Sequence, residues 1–491
     1  MTFFALALRN LTSRRWRTAM LLAGYGIGVA TMIVLLSIGE ALVLQARDEK
    51  LIGGGDVTVL PEGIDVEVMK TGGLGGMFFS IDHARFIYQQ LLASRRLADD
   101  VAAASPQISG KLVYLHTADG RLRPALANGE IPSVNGAVGA APTIVAGAWT
   151  DDDVDRRWIA PTAAELRPEI DHFHLPPGAA RGDSTWGEWH YFNILWPGGR
   201  KWAFISFVVG GAVPDGKWGG QVLVTLHEVG RPVRRFVSYS RPPAIRFSTS
   251  RADVTLGGST VHVLENGDYA VHVEANEELT GGPLRIDVSV SPTPNALFPG
   301  ASIGGAGVVS GYVVPGLRAS ASGRICVVAR CDSLDAAQSY HDHNWGIWRS
   351  VAWEWGEARA GDYTLLYGRI VTEGAAEQPL FVYVVDSLGF VGLFRPRTIE
   401  YVDERTATVD GKTIRVPSTG RMTDSRGDDE VRIELHVDDA VATDVRRSAR
   451  QPIDGFSKRY FVQMKGTATI SGRVGGKSIA GTGAGFFETY R

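Results

Sequence analysis

Residues 260–275, Thr-Val-His-Val-Leu-Glu-Asn-Gly-Asp-Tyr-Ala-Val-His-Val-Glu-Ala, decide the fold of this chain. Apolar and polar residues alternate on both sides of Asn266-Gly267. An Asn-Gly pair between two such runs is the strongest short-range signal of an antiparallel hairpin. The same texture continues outward. Before it lie WHYFNILW (189–196), WAFISFVV (202–209), QVLVTLHEV (221–229) and AIRFSTS (244–250). After it lie LRIDVSV (284–290), YTLLYGRIV (363–371), LFVYVV (380–385), VRIELHV (431–437) and YFVQMKGTATISGRV (460–474). Helical periodicity is nearly absent from Ser184 to Arg491, so two β-barrels or sandwiches in tandem are expected, divided near residues 330–360. The uncharged run Ala296–Leu317 holds Pro299, Pro315 and six glycines, which suits strand and turn better than a membrane helix.

The upstream third is different. VTVL (57–60), KLVYLHTA (111–118) and PTIVAG (142–147) read as short strands, and Ser80 opens a run with apolar residues at helical spacing. A small α+β domain over residues 51–150 is expected. The charged stretch Asp151–Arg157 and the prolines at 161, 168, 176 and 177 mark residues 151–183 as a linker. The barrels then occupy residues 184–345 and 346–491.

With 491 residues the chain exceeds one hydrophobic core, and 44% hydrophobic against 21% charged residues excludes a mostly disordered polymer. A mean hydropathy of −0.01 excludes a polytopic membrane protein. The balance of 50 Lys+Arg against 53 Asp+Glu gives no basic surplus, so no nucleic-acid partner is expected. Two cysteines cannot build a disulfide scaffold. Cys326 and Cys331 lie five apart, facing opposite ways on an unbroken strand. Two unpaired β-sheet cysteines are expected; a disulfide requires a turn between them.

Thr18–Gly39 carries no charge over 22 residues, about 33 Å of helix and enough to cross a bilayer core. Arg9, Arg14, Arg15 and Arg17 precede it, so the positive-inside rule places the N-terminus in the cytoplasm and the rest outside. A cleaved signal peptide has a shorter apolar region and a small-x-small site, whereas Ser37-Ile-Gly39 is a poor site. The expectation is an uncleaved, single-pass anchor over residues 1–50 in the cell inner membrane, with the bulk of the chain on the periplasmic side.

Four constellations can carry chemistry: Trp186-Gly-Glu-Trp189-His190-Tyr191-Phe192, Tyr340-His341-Asp342-His343-Asn344-Trp345-Gly346-Ile-Trp348, Trp353-Glu-Trp355-Gly-Glu357 and His172-Phe-His174. The polar run 341–344 breaks the apolar alternation. On a strand, His341 and His343 share one side and Asp342 takes the other, and buried polar groups demand partners. Three explanations stand: a hydrogen-bonded turn sealing two barrels, a metal site, or a ligand pocket. His-x-His on a strand aligns two metal ligands, but no third ligand is evident nearby, so neither metal nor cofactor is assigned. As a pocket, His341 and Asp342 are the candidate catalytic residues. His343, Asn344, Trp345, Trp353, Trp355, Trp189 and Tyr191 are the candidate ligand-binding residues. Asp342 or His341 is the natural proton donor to an alkene, and tryptophan faces stabilise a developing carbocation by about 0.5–2 kcal/mol each.

Two resemblances bear on these residues. ALRNLTSRRWRTAMLLAGYGIGVATMIVLLSIGEAL (Ala7–Leu42), followed by GGGDVTVLPEG, resembles the opening of a MacB-type ABC-transporter permease. Permeases of that type have three further spans after the external domain. This chain shows none of these and no ATP-binding P-loop, so the resemblance implies an anchor with a remnant external domain. WGEWHYFNI (186–194), GYVVPGLRASASGRI (311–325) and YHDHNWGIW with WEWGEARAGDYTLLYGRI (340–348 and 353–370) resemble the family of hydroxyneurosporene synthase (carotenoid 1,2-hydratase) and AttH-like proteins. Fungal Diels–Alderase-like proteins share the general pattern. This resemblance implies tandem lipocalin-like (calycin) barrels and an apolar isoprenoid- or lipid-like ligand. In the hydratases water adds across a terminal C=C bond without a cofactor. The hydratase motif has Trp-Asp where this chain has His341-Asp342; the matching positions are Asp342, Asn344, Gly346, Trp353 and Trp355.

The sequence therefore describes a mainly β protein of tandem lipocalin-like barrels, behind one transmembrane helix and a small α+β external domain. Its expected function is binding an apolar isoprenoid or lipid, with a hydro-lyase or cyclase activity as its enzymatic form. The alternative is a non-catalytic, lipid-binding accessory to an ABC-type export system, with transporter components as partners.

Overall fold

A computed structural model describes residues 15–48, 100–139, 147–159, 170–305, 308–347, 351–372, 380–409, 412–444 and 460–491, with Ser13, Val57, Tyr88 and Arg96 besides. The expected strands at 57–60 and 142–147, the helix from Ser80 and most of the Pro-rich stretch lie outside the described residues, apart from Val57, Tyr88 (helical) and Gly147. The chain divides into two compact units: Met1–Phe79 with Ala103–Asp155, and Ser80–Ala102 with Arg156–Arg491.

In the first unit, helix α1 (Arg15–Asp48) contains the segment Arg15–Ile38, with mean hydropathy 2.1 and no burial inside the protein. By length and composition it can cross a membrane. Strands β1 (Gln107–His116) and β2 (Leu122–Glu130) form an antiparallel hairpin. Helix α2 (Pro132–Ala137) follows, beginning on a proline, which suits the first helical turn. Its Asn135 is buried, and its Nδ2 donates to Glu130 Oε2 at 2.6 Å.

The second unit opens with β3 (Trp186–Leu195), β4 (Lys201–Gly211), β5 (Trp218–Glu228), β6 (Arg234–Ser240), β7 (Ile245–Phe247), β8 (Val254–Leu256), β9 (Ser259–Val263) and β10 (Tyr269–Glu277). It continues through β11 (Pro283–Pro292), β12 (Phe298–Gly305), β13 (Val308–Val327) and β14 (Arg330–Ile347). Eight of these close a barrel in the order β10-β11-β13-β14-β3-β4-β5-β6, with β6 returning to β10 at Phe236 and Val237. The hairpin at Asn266-Gly267 joins β9 to β10, with Gly267 at a φ of 83°, the left-handed conformation such a turn needs. Within the run 296–317, the described residues from Phe298 onward are strand β12 and the start of β13, as its prolines and glycines imply.

Nine further strands make the second sheet: β15 (Val351–Ala360), β16 (Tyr363–Thr372), β17 (Phe381–Asp386), β18 (Gly389–Phe394), β19 (Glu400–Val409), β20 (Lys412–Arg426), β21 (Asp429–Asp444), β22 (Tyr460–Val474) and β23 (Lys477–Tyr490). Their order, β18-β17-β16-β15-β23-β22-β21-β20-β19, is an up-and-down meander whose first and last strands pair. Its two edges, β18 and β19, do not pair among the described residues. Beside that seam the Arg395 amide donates to Asp424 Oδ2 at 2.7 Å.

Each sheet wraps its own core. Phe192, Ile205, Val222, Val273 and Ile286 fill the first barrel; Leu365, Tyr367, Val382, Ile433 and Phe487 fill the second sheet. A third layer of Tyr191, Trp202, Phe204, Tyr340, Trp355 and Phe486 packs between them. This explains why β3 loses its alternation from Tyr191 onward: its outward face is covered as well.

Two expectations need correction. Cys326 and Cys331 are a disulfide, because the turn at Val328 and Ala329 brings them opposite each other on β13 and β14. Within residues 170–183, expected as part of a linker, Ile170, Phe173 and Ala180 pack into the core of the first barrel. Phe173 stacks on Phe247 with ring centroids 3.8 Å apart, and Asp171 is fully buried.

Candidate functional site

Strand β14 carries the polar run and pairs with β3, so Asp342 lies opposite Tyr191, His341 opposite Phe192 and His343 opposite His190. Because successive side chains point to opposite faces, this register sorts the run into two sites. His341, His343 and Trp345 project into the first barrel, together with Glu188, His190 and Phe192. Tyr340, Asp342 and Asn344 project outward toward the second sheet, together with Trp189 and Tyr191. The expectation of one pocket holding all the candidates is thereby corrected: His341, His343 and Trp345 are on the other face from the cavity.

The inward site is deeply buried and densely bonded. Asp171 Oδ1 accepts from His343 Nδ1 at 2.6 Å, and Asp171 Oδ2 accepts from Tyr269 OH at 2.6 Å and lies 3.2 Å from His341 Nε2. His343 Nε2 donates to Glu188 Oε1 at 2.8 Å. The His174 amide donates to the same oxygen at 2.8 Å. His341 Nδ1 donates to the Tyr191 carbonyl at 3.1 Å. The His174 ring stacks flat on Trp345 with centroids 3.5 Å apart. The indole also lies against Gly311, where a Cβ would sit 2.4 Å from the ring. Burial pushes the Asp171 carboxyl up, but the imidazoles of His341, His343 and His190 overcome this and hold it well below the usual carboxylate range. Burial alone would lower His343, yet its hydrogen bonds to Asp171 and Glu188 raise it to about 9. His190, buried and beside His343, is held well below the ordinary imidazole value.

The outward site is a cavity of about 630 Å³, lined by Trp189, Tyr191, Phe204, Tyr312, Asp342, Asn344, Trp353, Trp355, Ile370, Phe461, Gln463, Glu488 and Tyr490 among others. That volume falls within the range of small-molecule sites. Two acids face it. Asp342 accepts from Tyr340 OH at 2.8 Å and from Asn344 Nδ2 at 2.7 Å, and Tyr340 in turn accepts from Trp355 Nε1 at 2.8 Å. Glu488 accepts from Tyr191 OH at 2.6 Å and from Trp353 Nε1 at 2.8 Å, while Gln463 Nε2 donates to the Tyr191 hydroxyl at 2.8 Å. Burial pushes Asp342 up to about 8, aided by the charge of Glu488. Burial likewise raises Glu488. Trp355 can lie against the wall because Gly368 faces it; a Cβ there would sit 2.4 Å from the indole.

Of the sequence candidates, Asp342, Asn344, Trp189, Tyr191, Trp353 and Trp355 line the cavity. The sequence reading missed Glu488, a buried acid in the C-terminal Phe-Phe-Glu-Thr-Tyr run, and Asp171, two residues before the flagged Phe173. An acid between large apolar neighbours was the available signal in the first case. In the second it was an acid beside the His172-Phe-His174 doublet.

No family model matches the sequence, and no curated protein matches it significantly. Solved structures of similar fold include an AttH candidate from Nitrosomonas europaea, at 17% identity and a TM-score of 0.45, covering 65% of this chain and 98% of that one. Another is kievitone hydratase from Nectria haematococca, at 13% identity and a TM-score of 0.38, covering 65% and 94%. CghA in complex with Sch210972 is similar at 13% identity and a TM-score of 0.41, covering 66% and 95%.

Proposed function

We propose that this protein is anchored to the membrane by α1, binds an apolar isoprenoid- or lipid-like molecule in the 630 Å³ cavity, and protonates it there as a cofactor-free hydratase or cyclase. The observation that carries the reading is a pair of buried acids, Glu488 and Asp342, facing one cavity walled by tryptophan and tyrosine. An apolar wall with a few placed polar groups suits an apolar ligand with one reacting position. Two buried carboxyls that repel each other's charge retain a proton that water-exposed carboxyls would lose.

In the hydration, the Glu488 carboxyl gives its proton to one alkene carbon, and the neighbouring carbon becomes cationic. Trp353 and Trp355 present π faces to that charge. Water adds to the cation, and its surplus proton returns to the Glu488 carboxylate, so the enzyme ends unchanged. In the cyclisation, a second double bond of the ligand replaces water and a proton from the product carbon restores the acid. The test uses the full-length chain in detergent, squalene as an acyclic alkene and ¹⁸O-labelled water. Label in a tertiary alcohol, or a cyclised product, made by the wild type and lost in Glu488→Gln supports the reading. Turnover that survives Glu488→Gln, or no product and no bound apolar molecule in the wild type, overturns it.

A further inference from the structure

The inward cluster of the first barrel plays no part in the proposed reaction, yet it gathers six metal-ligating side chains. We propose that Asp171, His190 and His341 hold one divalent transition ion of the zinc type inside this barrel. The sequence offered His341 and His343 with no third ligand nearby; the fold supplies Asp171 from 170 residues away and His190 from the paired strand. The ligand atoms of Asp171, His190 and His341 all lie within 4.8 Å of one another. His341 Nε2 stands 3.2 Å from Asp171 Oδ2, and His190 Nδ1 stands 3.6 Å from Asp171 Oδ1. Tetrahedral zinc with ligands at about 2.0–2.1 Å places neighbouring ligand atoms about 3.3 Å apart, so the two histidines, which approach different oxygens of Asp171, close on one ion by small side-chain rotations.

Two further observations separate this cluster from an ordinary buried network. His190 is 3% exposed, and its Nδ1 makes no hydrogen bond among the described residues although it points at a carboxylate. A buried nitrogen left without a partner is costly, and an ion beside it removes that cost. His341 donates Nδ1–H to the Tyr191 carbonyl, which leaves Nε2, 3.2 Å from Asp171 Oδ2, as the ring nitrogen placed to take a metal. The carbonyl partner is also what orients metal-binding histidines, and Tyr269 and His343 support the Asp171 carboxylate in the same manner. Three protein ligands leave a zinc ion one position for water.

The test is metal content and melting of the full-length chain, purified in detergent, stripped with EDTA and dialysed against Zn²⁺. The wild type should retain about one ion per chain and melt at a higher temperature with Zn²⁺ than without it. His190→Asn removes a nitrogen that holds no hydrogen bond; it should retain below about a tenth of an ion and lose the Zn²⁺-dependent shift. His262→Asn, on a half-exposed histidine of β9, should behave as wild type. Wild-type protein loaded with Co²⁺ should show the intense visible bands of a four-coordinate site, a readout independent of any variant. A wild type that keeps less than about a tenth of an ion, or equal Zn²⁺ in wild type and His190→Asn, overturns the proposal.

Discussion

The two faces of β14 divide six consecutive residues, Tyr340 to Trp345, and make opposite use of them. Inward, His341 and His343 belong to a buried cluster in which most polar atoms are hydrogen-bonded within the protein. Outward, Asp342 and Asn344 sit on the wall of a cavity large enough for a ligand. Adjacent positions on a strand are close in sequence and separate in environment, because each side chain belongs to the layer it faces. A dense polar run is therefore a poor guide to a single pocket. It signals a strand buried on both sides.

The comparison breaks first at Asp171. Replacing it with Ala strips His341, His343 and Tyr269 of their shared acceptor, and breaking a buried charged pair costs about 3–5 kcal/mol. Urea unfolding of Asp171→Ala should show that loss. A loss below about 1 kcal/mol would mean the inward cluster is not structural.

Glu488→Gln asks the opposite of the outward face. The amide keeps the shape but accepts at one oxygen only, so either the Tyr191 hydroxyl or the Trp353 indole N–H loses its acceptor, and stability should fall by about 1–3 kcal/mol, less than at Asp171. Turnover should fall about 10²–10⁴-fold, the usual contribution of a general acid. A variant that melts early but turns over normally per folded molecule would exchange the roles of the two faces.

Glu357 sharpens the contrast between paired and unpaired buried acids. It lies on β15, its carboxylate oxygens have no hydrogen-bond partner among the described residues, and only the charges of Arg359 and Arg318 oppose its burial. Burial raises it to about 8, above the value of an unfolded chain. A group raised on folding favours the folded state below its unfolded pKa, and that contribution is lost as pH rises toward the folded pKa. The wild type should lose stability between about pH 4.5 and pH 8 at this position. Glu357→Gln should be more stable than wild type by about 1–3 kcal/mol at pH 8 and equal to it at pH 4. Equal melting curves at both pH values would show that the acid is relieved in another way.

The smallest effect belongs to Arg234, whose guanidinium on the cavity wall holds Glu277 down to about 2 through hydrogen bonds at 2.7 and 2.9 Å. The Arg234 side chain is 38% exposed, so Arg234→Met should cost less than about 1 kcal/mol near neutral pH. Because the Glu277 value is lowered on folding, that increment exists above about pH 4.5 and fades as pH falls toward 2.

Much of this architecture was readable in one sequence. Alternating runs and the Asn266-Gly267 turn identified a β-rich body, prolines and glycines kept 296–317 out of the membrane, and charge-free length identified α1. Even the parity that separates His341 from Asp342 was visible. What the sequence withheld was which face of β14 each neighbour covers, since Glu488 and Asp171 reach this strand from 146 and 171 positions away. No local periodicity carries that information. The disulfide was missed for a related reason: parity argues against it until the turn at Val328 is known.

The most direct test of the central claim, that the outward cavity is the ligand site, is mass spectrometry of apolar molecules extracted from the full-length protein. Val208 lines the cavity from β4, and Val208→Trp fills part of it without touching the inward cluster. Wild-type protein should carry an isoprenoid- or lipid-like molecule that folded Val208→Trp has lost. Equal retention by the two proteins, or none by the wild type, would contradict the account.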